Sequence, residues 1–61
     1  MKTIFRLNGR KITRKAVIEM TGREYFDRLM KTAGETFRED PEISNDFSLG
    51  SKGMLNIEFQ I

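Results

Sequence analysis

Between Thr21 and Arg38 the apolar side chains Tyr25, Phe26, Leu29, Met30, Ala33 and Phe37 recur at steps of three and four. That spacing puts them on one face of a helix. Arg23, Asp27, Arg28, Lys31, Glu35 and Arg38 fill much of the remainder, as a solvent-facing side requires. Thr21-Gly-Arg-Glu24 has the form of a capping box, with the Thr hydroxyl and the Glu carboxylate satisfying each other's backbone N–H groups. Gly34 inside the helix costs about 1 kcal/mol against Ala, and predicts a close packing neighbour at that point. The helix frays near Gly34 or continues to about Arg38, and Pro41, which disfavours helical geometry at Asp40, sets its stop. A helix with one apolar face has to lie on something, and the rest of the chain supplies strands.

Thr3 to Leu7 is a short β-type run with Phe5 and Leu7 on one side and Ile4 and Arg6 on the other. Asn8-Gly9 is the strongest short hairpin signal, because a type I′ turn needs positive φ at both central residues. Arg10-Lys-Ile12 then returns as a brief second strand. Thr13 reads as an N-cap for a two-turn helix over Arg14–Met20, with Ala16, Val17 and Met20 on one face. Gly22 either belongs to the capping box or ends this first helix in a left-handed cap, and two helices follow in both cases. Ile43 to Leu49 is a strand with Ile43, Asn45, Phe47 and Leu49 on one side, and Gly50-Ser-Lys-Gly53 is a turn. In Met54–Ile61, Leu55, Ile57, Phe59 and Ile61 alternate with Asn56, Glu58 and Gln60, which means one buried face and one wet face.

These pieces predict a single α+β domain over residues 1–61. It is a two-layer sandwich in the order β(β)-α-α-β-β, with two helices covering one face of a three- or four-stranded antiparallel sheet. The two strongly apolar strands, first and last, are expected to lie side by side. A chain of 61 residues buries only about 60% of its unfolded surface, so stability is thin. Disulfides and zinc are the usual staples of such domains, and this sequence has neither Cys nor His. Packing or a partner must supply the difference.

The same absences bear on chemistry. Without His or Cys the common general base and the strongest nucleophile are missing, and a non-catalytic chain with no cofactor is expected. Glu39, Asp40 and Glu42 sit together at a helix end, where a solvated turn accounts for them. Gly50-Ser-Lys-Gly53 could hold an anion on its amides, but a hairpin turn explains it without a ligand. No run of apolar residues approaches the roughly 18 needed to span a membrane, and residues 1–6 lack the apolar region of an export signal. Cytoplasm is the default.

The net charge of +2 conceals an asymmetry. Residues 1–32 hold nine Lys/Arg against three Asp/Glu, and residues 33–61 hold two against six. Arg6, Arg10, Lys11, Arg14 and Lys15 would gather around the first hairpin and the start of the first helix, with Arg23 and Arg28 extending the patch. A patch of this kind attracts phosphate and is the candidate nucleic-acid site. Thr13–Met30 also has the outline of a helix-turn-helix. The match is poor, because Ala16 to Gly22 is too long a step and the second helix needs Phe26, Leu29 and Met30 for the core.

A protein-interaction role makes fewer demands. A small sheet with exposed edges can accept a partner's strand or pair with a second copy. Met1, Met20, Met30 and Met54 adapt readily at contacts. If Ile4, Ile12 or Ile43 lies on the far side of the sheet, the apolar patch so formed favours a homodimer. The expected function is therefore accessory protein binding, with DNA binding through Arg10–Lys15 as the alternative. No small-molecule substrate is evident.

The run Phe5-Arg-Leu-Asn-Gly-Arg-Lys-Ile-Thr-Arg-Lys15, the central Gly22-Arg-Glu24 and the later Glu39-Asp-Pro41 and Gly53-Met-Leu-Asn-Ile-Glu-Phe59 give the chain a recognisable profile. Together they resemble small uncharacterised proteins encoded on phages and integrative elements of Gram-positive bacteria. The resemblance spans nearly the whole chain, and its motifs are structural, so it assigns no functional residue. It implies a bacterial cytoplasm and an accessory role, in which such proteins bind DNA or a host protein rather than catalyse.

Overall fold

The computed structural model describes residues 2–61; Met1 lies outside the described residues. Its order is β1 (Lys2–Leu7), β2 (Arg10–Ile12), α1 (Arg14–Thr21), α2 (Arg23–Glu39), β3 (Asn45–Ser48), a turn of 3-10 helix (Gly50–Lys52) and β4 (Met54–Gln60). The four strands form one antiparallel sheet in the order β2-β1-β4-β3. The first and last strands therefore do pair, from Lys2 opposite Gln60 to Leu7 opposite Leu55.

Both helices pack on the sheet face that carries Phe5, Leu55 and Ile57. Val17 of α1 and Phe26, Leu29 and Ala33 of α2 complete the core, with Ile12, Met30, Phe47 and Phe59 half-buried around it. Phe5 and Phe26 meet as a tilted pair 5.9 Å apart, and Phe37 and Phe59 as another at 5.2 Å. Asn45 is the one buried polar side chain among the described residues, and its amide reaches the Ala33 carbonyl, joining β3 to α2.

Local signals account for the boundaries. Asn8 and Gly9 both have positive φ, as the type I′ turn demands. The Thr13 hydroxyl accepts the Ala16 N–H and caps α1. Asp40, ahead of Pro41, is extended and ends α2.

Several expectations fail in detail, among them Ile61, which lies beyond β4 and is fully exposed rather than on its buried face. The capping box does not form: the Thr21 hydroxyl donates back to the Val17 carbonyl, and Gly22, at φ 85°, both closes α1 and precedes α2. Positive φ at Gly22 ends the first helix one residue later than a Thr21 cap would allow. Tyr25 lies outside the core, exposed at the edge of α2's apolar stripe with Arg28 over its ring. The strand expected from Ile43 to Leu49 shortens to Asn45–Ser48, because the Ile43 N–H turns back to the Asp40 carbonyl.

Leu55 is fully buried at the centre of β4, between β1 and β3. Leu55→Ala is expected to cost about 2–5 kcal/mol, enough to leave so small a domain largely unfolded at room temperature. Urea denaturation followed by circular dichroism would measure it.

Candidate functional site

The basic residues of the first hairpin divide between two sides of the sheet. Directly opposed residues share a face, so Ile12 opposite Phe5 and Arg10 opposite Leu7 lie on the helix side, and Lys11 opposite Arg6 lies on the open side. Arg6 is not available to an outside anion at no cost, because its guanidinium donates to the Glu58 carboxylate. Arg14 lies over the Phe5 and Phe26 rings, 5.5 and 5.4 Å from their centres, and covers that end of the core. Arg10, Lys11 and Lys15 are exposed and carry no ion pair among the described residues. The extension toward α2 is also engaged: Arg23 pairs with Asp27, and Arg28 lies over Tyr25. A helix-turn-helix reading fails on burial, since Phe26, Leu29 and Ala33 face the sheet.

Lys52, the cation of the glycine-flanked turn, donates to the Met20 carbonyl near the end of α1. It ties the turn to the helices rather than standing free for an anion. The open face of the sheet is polar. Glu58 accepts from Arg6 and Gln60, and both hold its carboxyl below the ordinary value, Arg6 most strongly. Asp46 accepts from Ser44 and Asn56, which lower its pKa in that order. Ile4 is on this face yet nearly buried, Ile12 is on the other, and Met54 stands exposed at one end of the open face.

Further apolar surface lies beside β4. β4 continues through Glu58, Phe59 and Gln60 after its pairing with β3 has ended at Asn45 opposite Ile57. The space beside this overhang is a groove of about 240 Å³ between the end of α2 and the loop before β3. Phe37, Pro41, Ile43, Ser44, Glu58 and Phe59 are among its walls. A second hollow of about 320 Å³, lined by Gly34, Phe37, Arg38 and Phe59, shares both aromatic rings with it. Ile43 stands 52% exposed at the rim.

Gly34 is informative here. Close packing was the expected reason for a glycine in mid-helix, but a Cβ built at this position meets nothing within 4 Å. What the missing side chain leaves is the floor of the hollow. The groove escaped sequence reasoning because it depends on the unequal lengths of β3 and β4, which only the register reveals. Phe37 and Phe59 were visible beforehand as apolar positions of the helix and of the sheet face it covers, and Gly34 as a helix glycine, without a sign that a hollow lies between them.

No family model, curated protein or solved structure matches this chain. No helix among the described residues is long and apolar enough to cross a membrane.

Two measurements follow from these contacts. Gly34→Ala is expected to raise stability by up to about 1 kcal/mol, read as a higher urea midpoint with an unchanged slope. Glu58 and Asp46 have lowered pKa values in the fold, so their stabilisation is present above the unfolded values and is lost as pH falls through the folded ones. Stability should therefore decline on acidification below about pH 4.5, the ordinary Glu value. Thermal melts of Glu58→Gln should show a shallower decline over that range than the parent.

Proposed function

We propose that this chain is a non-catalytic accessory domain that works by docking a protein partner in the groove between α2 and β4. The observation that carries this reading is the coincidence of an unpaired length of β4, beside a groove of mixed polar and apolar lining, with an adjoining apolar hollow that shares Phe37 and Phe59 and is floored by Gly34. Exposed apolar surface is costly in a domain with no disulfide to spare stability, and contiguous patches of it mark interaction sites. The helix glycine fits the same account, since it forgoes stability where an alanine would stand in the adjoining hollow.

Accessory DNA binding remains a second reading on one observation: Arg10, Lys11 and Lys15 are exposed without an ion pair among the described residues. Three cations can support only weak, salt-sensitive phosphate contact.

Selection of a displayed random peptide library on the immobilised protein tests the main reading. The expected result is a consensus whose binding is lost in Gly34→Leu, a variant that fills the hollow while leaving the core intact. Binding that survives Gly34→Leu unchanged, or failure to enrich any consensus, would overturn it. Micromolar, salt-steep binding of duplex DNA that disappears on Arg10→Glu, Lys11→Glu and Lys15→Glu would transfer the function to the hairpin.

A further inference from the structure

The hydrogen bonds of β4 show what kind of segment the groove is built to hold. The Met54 N–H donates to the Asn8 side-chain oxygen, and the Met54 carbonyl accepts the Asn8 N–H, so both backbone groups face the β1 side. Backbone direction alternates along an antiparallel strand. Residues 56, 58 and 60 therefore face β1, and residues 55, 57 and 59 face β3. Asn45 answers Ile57, and β3 begins there. The N–H and C=O of Phe59 consequently point into the groove with no partner among the described residues. Ile43, the residue that would stand opposite in a longer β3, has turned its N–H to Asp40.

We infer that the groove receives an extended segment of a partner protein as an added antiparallel strand, bearing one large apolar residue opposite Phe59 and a Lys or Arg immediately after it. This rests on the protein-docking reading above and specifies the partner's chemistry. Strand addition supplies two hydrogen bonds at Phe59 and uses side-chain pockets for selectivity. A residue opposite Phe59 shares its face, which is the helix side. Its side chain enters the hollow of Gly34, Phe37, Arg38 and Phe59, which favours an apolar group.

The next residue lies opposite Glu58 and points to the open face. There Glu58 shares its charge with Arg6, and Asp46 is held by neutral donors alone. Glu42 lines the groove, Glu39 ends α2 just before it, and Asp40 opens the same loop. None of Glu39, Asp40, Glu42 and Asp46 has an ion pair among the described residues, and Arg38 is the single cation lining either hollow. The surroundings are net acidic, and the complementary segment is basic. The segment must leave the sheet after this residue, where Asn45 already occupies the edge.

The test is a titration of the 15N-labelled full chain with a blocked seven-residue peptide of sequence Ser-Thr-Lys-Leu-Lys-Thr-Ser. Two comparison peptides carry Glu in place of both Lys, or Ser in place of Leu. Binding on the order of 100 µM is expected from one hydrogen-bonded rung and one buried side chain. The Phe59 amide should exchange quickly in the free protein and slow by about tenfold or more in the complex. The Glu peptide should bind about three- to fivefold more weakly, and the Ser peptide about tenfold more weakly.

Equal affinity of the Lys and Glu peptides would overturn the basic assignment while leaving docking in place. Binding with no change in Phe59 exchange would overturn strand addition alone. Failure of all three peptides, together with failure of the library selection, would remove the docking reading itself. A concentration-dependent dimer whose formation protects Phe59 without peptide would make a second copy the occupant and overturn the partner segment.

Discussion

The pairing of β4 with β1 is what the rest of this domain depends on. Like β1, β4 has a neighbour on each side, β1 along six residues and β3 along four, and it contributes Leu55 and Ile57 to the core. Among the described residues no side chain has a larger volume and less exposure than these two. Without cross-links, the sheet holds because burying these residues ties both ends of the chain to the same helices. β2 and β3 are short edges by comparison, three and four residues long, and each is hung on one long strand.

That dependence explains which parts of the fold were legible. Alternation in Met54–Gln60, the Asn8-Gly9 turn, the Thr13 cap and the stop before Pro41 are signals carried by neighbouring residues, and each corresponds to an observed element. The β1–β4 pairing also followed, since two strongly apolar strands leave few other places for their inner faces. What escaped was relational. Tyr25 and Phe26 are adjacent, and only the placement of α2 on the sheet decides that one is exposed and the other buried. Thr21 had two possible partners for its hydroxyl, and the positive φ of Gly22 selected Val17 over a cap. The candidate groove is a difference between two strand lengths, a quantity that no single stretch of sequence contains.

The basic cluster shows the same limit for electrostatics. Five cations close in sequence suggest one patch, yet a strand alternates its side chains and a helix cap rotates those that follow. Arg6 ends beside Glu58 and Arg14 over two aromatic rings. Both have structural employment that a charge count does not reveal. The remaining cations of that cluster sit on or beside the β2 edge, and Glu39, Asp40, Glu42 and Asp46, none in an ion pair among the described residues, run from the end of α2 into β3 at the other edge. A charged, three-residue edge is also a poor template for further strands, which restrains the sheet from growing on that side.

The pairing of β1 with β4 has a consequence for how the protein comes into being. β1 is made first, and until β4 has been synthesised its sole strand partner is the three-residue β2. Helices α1 and α2 are complete well before the sheet they rest on has its second interior strand. A hairpin of that length is marginal alone, and contacts between distant parts of a chain form late because closing the loop comes before the gain. The fold therefore cannot assemble progressively behind the ribosome. It waits for β4 to emerge, and then the two helices and all four strands come together in one step.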